Sequence, residues 1–284
     1  MAEFTNQASL IYNDTITNSN IVVGELVQSL AVAKTALRRE YSPDGSITYV
    51  VSFTNKSGAA YTGLAVTDDL GAYDYGTGTL VPLRYVDGSL KYFLNGALQP
   101  TPAVDVGDTL NITSVSVPAN GDALLIYEAR PTAFAPLGAD GTIINTASVN
   151  GDMLAETLSA SETVSAQAAA WLSISKAISP STVSPNGQVT YTFVIQNTGN
   201  TAADAALGAV VTDTFSPVLK DLTATFNGAA LTLGADYTYD QTTGAFATLP
   251  GTILVDAATY TRNEATGAVE ITPAVSVLTI TGRI

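Results

Sequence analysis

The sequence predicts an all-β protein: two tandem β-sandwich domains with an extra segment ahead of the first. Three observations carry this prediction. The chain holds two long copies of one pattern, its apolar residues alternate with period two, and turn residues separate the alternating runs.

Residues 1–28 form the first element, a predicted donor segment. Asn6-Gln7-Ala8-Ser9-Leu10 reads like Asn145-Thr146-Ala147-Ser148-Val149 in the middle of the chain. Phe4, Asn6, Ala8, Leu10 and Tyr12 fall on one face of a strand. Ile21 and Val23 fall on one face of a second, after a polar turn over residues 13–20. A lone two-stranded hairpin is marginal in water, but one added to an open sheet edge gains main-chain hydrogen bonds and buries its apolar face. In the middle of the chain the matching pattern closes one domain and hands over to the next. The N-terminal copy is therefore expected to complete the second domain of another molecule; the alternatives are a fold-back onto its own second domain and a disordered tail.

The two domains are expected at residues 29–165 and 166–284. Pro43-Asp44-Gly45-Ser46-Ile47-Thr48-Tyr49 matches Pro185-Asn186-Gly187-Gln188-Val189-Thr190-Tyr191, with the same spacing that separates Lys34 from Lys176. Val66-Thr67-Asp68 matches Val211-Thr212-Asp213. Pro-Asp-Gly and Pro-Asn-Gly signal turns, and after the first of them Ile47, Tyr49, Val51 and Phe53 alternate with Thr48, Val50, Ser52 and Thr54. Asn95-Gly96 and Asn227-Gly228 sit in hairpin settings. Short strands between turns indicate sandwiches. The small-residue run before Trp171 is expected to link the domains, with Trp171 at the junction or in a core. At the end of the chain, Val277-Leu278-Thr279-Ile280 matches Leu124-Leu125-Ile126-Tyr127. The first copy continues into Asn145-Thr146-Ala147 and the second has no such continuation, so domain 2 is expected to lack its terminal strands. Val277, Leu278 and Ile280 are the expected acceptor edge.

Composition narrows the function. The net charge is −14 and the charged fraction only 13%, which disfavours nucleic acid and anionic membranes, since both need basic patches. The chain has no cysteine and no histidine, so disulfides, cysteine/histidine zinc sites and histidine acid–base chemistry are excluded. No segment is long and apolar enough to insert into a membrane as a helix. The start reads as having no secretory leader and the end no wall-sorting tail. Two routes to an extracellular place follow: a leader absent from this sequence, or release from inside a cell, as for a spore appendage.

The early Lys, the Pro-x-Gly-x-(Ile/Val)-Thr-Tyr run, the following Asn, Val-Thr-Asp and the terminal Asn-Thr-Ala together resemble a widespread repeat of prokaryotic surface proteins. It is a conserved domain of unknown function in large proteins of Gram-positive bacteria and archaea. The resemblance spans most of the chain from Leu30, and domain 2 departs from it after Val-Thr-Asp. It implies an immunoglobulin-like fold and an extracellular structural role, with no enzyme activity and no cofactor.

One chemical constellation stands out. Lys34 and Lys176 lie on the first strand of each domain and Asn145 on a closing strand, while Asp68 and Asp213 occupy matching motifs. Gram-positive pilin domains of similar arrangement form Lys–Asn isopeptide bonds, which need a neutral lysine, a carboxamide and a protonated acid. By this resemblance Lys34, Asn145 and Asp68 would react within a molecule, and Lys176, Asp213 and the Asn6 of a neighbour between molecules. The plainer expectation is that both lysines face solvent and Asn145 caps a turn. The remaining acids, Asp68-Asp69 and the pair Asp236 and Asp240, lack calcium-loop spacing, and residues 71–78 read as a flexible loop. The expected function is a structural subunit that polymerises head to tail with copies of itself. An adhesin that recognises glycan or a host or anchoring protein is the alternative.

Overall fold

A computed structural model describes residues 2–26 and 29–284. Its regular structure is almost entirely antiparallel strand, and the chain divides into two compact units. Unit 1 comprises residues 1–136 and 142–165, unit 2 residues 137–141 and 166–284. Both contain the antiparallel sheets of the expected β-sandwich.

The N-terminal segment is a twisted ribbon. β1 (Ala2–Asn6) pairs with β4 (Val22–Leu26), and β2 (Ser9–Tyr12) pairs with β3 (Thr15–Asn18). Residues 13–20 are thus not one long turn. The reversal is confined to Asn13-Asp14, which both take positive φ, as a two-residue hairpin turn of matching twist requires. Between the pairs Asn6↔Val22 and Ser9↔Asn18, two residues of one strand face three of the other, so the ribbon carries a bulge. Met1, Val27 and Gln28 of the predicted donor segment lie outside the described residues.

In unit 1, one sheet runs β13 (Ala97–Gln99), β12 (Lys91–Leu94), β16 (Gly121–Pro131), β7 (Ile47–Asn55), β5 (Leu30–Ala36), with β11 (Leu83–Tyr85) also on β16. The other runs β14 (Ala103–Val106), β15 (Leu110–Val117), β8 (Tyr61–Asp68), β17 (Thr142–Asn150), β18 (Leu158–Ala166), β6 (Glu40–Tyr41). Alternation decides which side chains meet between them. On β7, Ile47, Tyr49, Val51 and Phe53 are buried, and they meet Leu64, Val66, Leu110 and Ile112 of the core. Asn95-Gly96 makes the predicted hairpin turn, with positive φ at both residues. Residues 71–78, read as a flexible loop, instead hold β9 (Tyr73–Tyr75) and the start of its hairpin partner β10 (Gly78–Leu80). Asn55, the motif asparagine, is buried and donates from Nδ2 to the carbonyls of Ala59 and Pro118 at 2.8 Å each, tying loops together.

In unit 2, the first sheet repeats five of those six strands: β19 (Leu172–Ser179), β20 (Gln188–Asn197), β28 (Ala274–Arg283), β22 (Lys220–Phe226), β23 (Ala229–Ala230). Asn197 repeats the role of Asn55, donating to Thr201 and Asp256 carbonyls, and the Trp171 amide donates to its Oδ1. The second sheet has only three strands, in the order β21 (Thr212–Thr214), β25 (Ala245–Thr248), β24 (Tyr237–Tyr239). A separate hairpin joins β26 (Thr259–Arg262) to β27 (Val269–Thr272). The core gathers Val189, Phe193, Phe215, Phe246, Leu278 and Ile280.

This topology corrects the predicted acceptor edge. Val277, Leu278 and Ile280 lie on β28, which is paired on both sides, by β20 and by β22. β28 is the counterpart of β16, a central strand, and a strand with neighbours on both sides has no main-chain groups to offer. The open edge is in the other sheet. In unit 1, β8 pairs with β15 on one side and β17 on the other. In unit 2, its counterpart β21 pairs with β25, and among the described residues no strand covers its other side.

Candidate functional site

Unit 1 contains a buried polar cluster assembled from both sheets. Lys34 comes from β5, Tyr127 from β16, Asp68 from the end of β8 and Asn145 from β17. Each sits at an inward position of its strand, where a polar side chain is stable only with partners. The Lys34 ammonium donates to Asp68 Oδ2 at 2.5 Å, and the Tyr127 hydroxyl donates to the same oxygen. Asn145 donates from Nδ2 to the Tyr127 hydroxyl at 3.3 Å, and its buried Oδ1 accepts no hydrogen bond. Lys34 Nζ stands 5.0 Å from the centre of the Tyr49 ring, and Tyr49 stacks on Tyr127.

Burial shapes the chemistry. The Lys34 side chain is 0% exposed, and this desolvation lowers its pKa although the Asp68 charge beside it pulls the other way. Burial likewise pushes the Tyr127 and Tyr49 phenols up, so both stay protonated and Tyr127 remains a donor. The expectation of a solvent-facing lysine and a turn-capping asparagine fails in this unit: Lys34 is buried, and Asn145, 0% exposed, sits in mid-strand opposite Glu162. The cluster brings an amine of weakened basicity, an acid within proton-transfer distance and a carboxamide with an unpaired oxygen together in the core. Those are the reactants for amide formation with loss of ammonia. Sequence reasoning found Lys34, Asp68 and Asn145 but missed Tyr127 and Tyr49. Their alternation shows that they point inward, not what they meet.

Unit 2 repeats half of this arrangement in the open. Lys176 of β19 is ion-paired with Asp213 Oδ2, and its Nζ lies 4.7 Å from the centre of the Tyr191 ring, 5.3 Å from Phe193 and 5.4 Å from Phe215. Its side chain is 40% exposed. The Tyr127 position is Ile280: Ile280 pairs with Tyr191 as Tyr127 pairs with Tyr49. Every residue of β19 is exposed, whereas Leu30 and Lys34 on the matching β5 are buried. Beside β19 lies an apolar cleft of about 150 Å³, lined by Leu172, Ile174, Ile195, Val211 and Ile253 among others.

The ribbon presents apolar side chains to water. Phe4, Leu10 and Tyr12 are 61%, 68% and 79% exposed, and Ile11, Ile16, Val22 and Ile21 are also exposed. The face of Phe4, Asn6, Ala8 and Leu10 corresponds to Ile143, Asn145, Ala147 and Val149, all buried in unit 1. Val22 stands opposite Asn6 and joins that face, while Val23 stands opposite Thr5 and points to the other. Ile21 falls in the bulge, outside β4. The Phe4 ring lies against Gly24, where a Cβ would come within 2.3 Å of it. Among the described residues no group of three or more acidic side chains forms a metal site.

No protein-family model matches the chain, and no curated protein sequence matches it. Solved structures with similar strand arrangements are distant. The major pilin of Streptococcus agalactiae (C-terminal fragment) is 11% identical, with 51% of this chain and 58% of that chain covered and a TM-score of 0.35. The major pilin subunit of Bacillus cereus is 12% identical over 94% of this chain and 70% of that chain, with a TM-score of 0.39. Red sea bream transglutaminase is 10% identical over 88% of this chain and 31% of that chain, with a TM-score of 0.30. These likenesses are too remote to carry function, which has to come from the site itself.

Proposed function

We propose that the chain is a structural subunit that assembles head to tail into an extracellular filament at a cell or spore surface. The N-terminal ribbon of one molecule adds to the open edge of β21 in unit 2 of the next. One observation carries the reading: among the described residues no strand of unit 2 fills the place that β17 and β18 fill in unit 1, and the exposed ribbon carries the same residue pattern as the buried face of β17. Copying the unit 1 register of Ala147↔Asp68, Ser148↔Thr67 and Val149↔Val66 sets Ala8 opposite Asp213, Ser9 opposite Thr212 and Leu10 opposite Val211. Leu10 then enters the cleft beside β19. Burying a Leu or Phe side chain stabilises by about 1.5–3 kcal/mol, and the added strand satisfies main-chain groups that an open edge leaves to water. Because donor and acceptor are different surfaces, the contact propagates as an open fibre.

Unit 1 gives the fibre its mechanical core. Condensation of Lys34 with Asn145 joins β5 of one sheet to β17 of the other, and the intact mass falls by about 17 Da as ammonia leaves. Deleting residues 1–28 tests the assembly. Unit 1 stays folded and negative-stain images lose all filaments; filaments of normal length from the truncated chain would overturn the proposal.

A further inference from the structure

Resting on that strand-donation reading, we infer that unit 2 carries an incomplete cross-linking site, completed by a second copy of this chain: the partner's Asn6 acylates Lys176 and makes each filament junction covalent. The argument starts from register. Asn145 lies two residues before Ala147 on the same face of β17, and Ala147 stands opposite Asp68. With Ala8 opposite Asp213, the partner's Asn6 takes the place of Asn145, on the face turned toward Lys176.

The acceptor half is already built. Lys176 and Asp213 form the same ion pair as Lys34 and Asp68, and three aromatic rings surround the ammonium. Water is what differs: the Lys176 side chain is 40% exposed and that of Lys34 0%. The docked ribbon would close the open side, and a lysine shut away from water favours its neutral, nucleophilic form. With Ile280 in place of Tyr127, the hydroxyl that donates to Asp68 has no counterpart, which leaves Asp213 Oδ2 free to take the lysine proton. Assembly thus switches the chemistry on. The isolated subunit keeps a hydrated ion pair with no carboxamide, and reaction needs both halves.

The step balances without an added reagent. Protonated Asp213 hydrogen-bonds the partner's Asn6 carboxamide oxygen, and the neutral Lys176 Nζ attacks its carbonyl carbon. The new C–N bond forms as the bond to the amide nitrogen breaks. The lysine proton passes by way of Asp213 to the leaving nitrogen, which departs as ammonia.

Filaments of the full-length protein, confirmed by negative stain, are boiled in detergent, and the products are separated by size and digested for mass spectrometry. The expected result is a ladder of oligomers, each junction lowering the mass by about 17 Da, and a branched peptide joining Asn6 to Lys176. Lys176→Arg removes both ladder and branched peptide. Ser175→Ala, at a neighbour facing the other side of β19, keeps both. Filaments that fall wholly to monomer, with no branched peptide, would overturn the cross-link while leaving strand donation standing. Absence of filaments, with the chain folded by circular dichroism, would overturn strand donation and the cross-link with it. A ladder that persists in Lys176→Arg would also overturn the assignment.

Discussion

β5 and β19 are the same strand in two copies, and their surroundings have diverged. Leu30 is 2% exposed on β5 and its counterpart Leu172 is 43% exposed on β19; Lys34 is buried while Lys176 is half open. The residues hardly differ, since Leu-Ala-Val-Ala-Lys became Leu-Ser-Ile-Ser-Lys. What differs is the hairpin β17–β18, which extends the sheet beyond β8 in unit 1 and has no counterpart beside β21 among the described residues. β19 thus keeps its apolar pattern where no strand among the described residues lies beside β21. The same Lys–Asp pair is buried in unit 1 and partly exposed in unit 2.

The comparison can be broken most sharply at the acids. In an Asn145→Ala background, where Lys34 keeps its amine, Asp68→Ala leaves that buried amine without its partner and is expected to destabilise unit 1 by about 3–5 kcal/mol. Asp213→Ala removes a partly exposed pair and is expected to cost unit 2 less than about 1 kcal/mol before assembly. Denaturant titration of each variant, followed unit by unit through the exchange of backbone amides, reads the two values. Equal losses would mean that the two sites are alike in burial after all.

The next test sharpens the register. Ala8→Asp sets an unpaired charge at the position of Ala147, which is 0% exposed, and is expected to weaken subunit association by at least about 2 kcal/mol. Gln7→Asp lies on the opposite face of the ribbon and is expected to change association by less than about 0.5 kcal/mol. The critical concentration for filament growth measures both. Equal effects would mean that the ribbon docks in another register.

The smallest effect is a pH dependence. In Asn145→Ala, Lys34 cannot be acylated and keeps its lowered pKa. The unfolded chain then binds a proton that the folded chain lacks between that lowered value and 10.5, so stability is expected to rise with pH through this window. The raised phenols of Tyr49 and Tyr127 act oppositely: from about pH 10 the unfolded chain loses protons that the folded chain keeps, and stability falls. In the unaltered chain the proposed Lys34–Asn145 amide is expected to remove the rising limb. Thermal melting across pH distinguishes a curve with a maximum from one that only falls.

Local rules in the sequence determined a good deal. The alternation on β7 and the Asn-Gly turns were legible because they depend on residues a few positions apart, and the two copies because their motifs repeat in the same order. Tertiary structure alone decided what those residues face. The match between the copies put the open edge at Val277, Leu278 and Ile280 but gave no sign that β28 has a neighbour on each side, and the open edge lies at β21 instead. Tyr127 and Asn145 are 18 positions apart, and Lys34 and Asp68 are 34. Strand pairing is non-local, and a one-residue change of register reverses every face. The ribbon bulge shows this on a small scale: one extra residue moved Val22 onto the Asn6 face and left Val23 on the other. Whether a lysine is a hydrated charge or a desolvated amine is settled by such pairings, since burial depends on the strands that cover it.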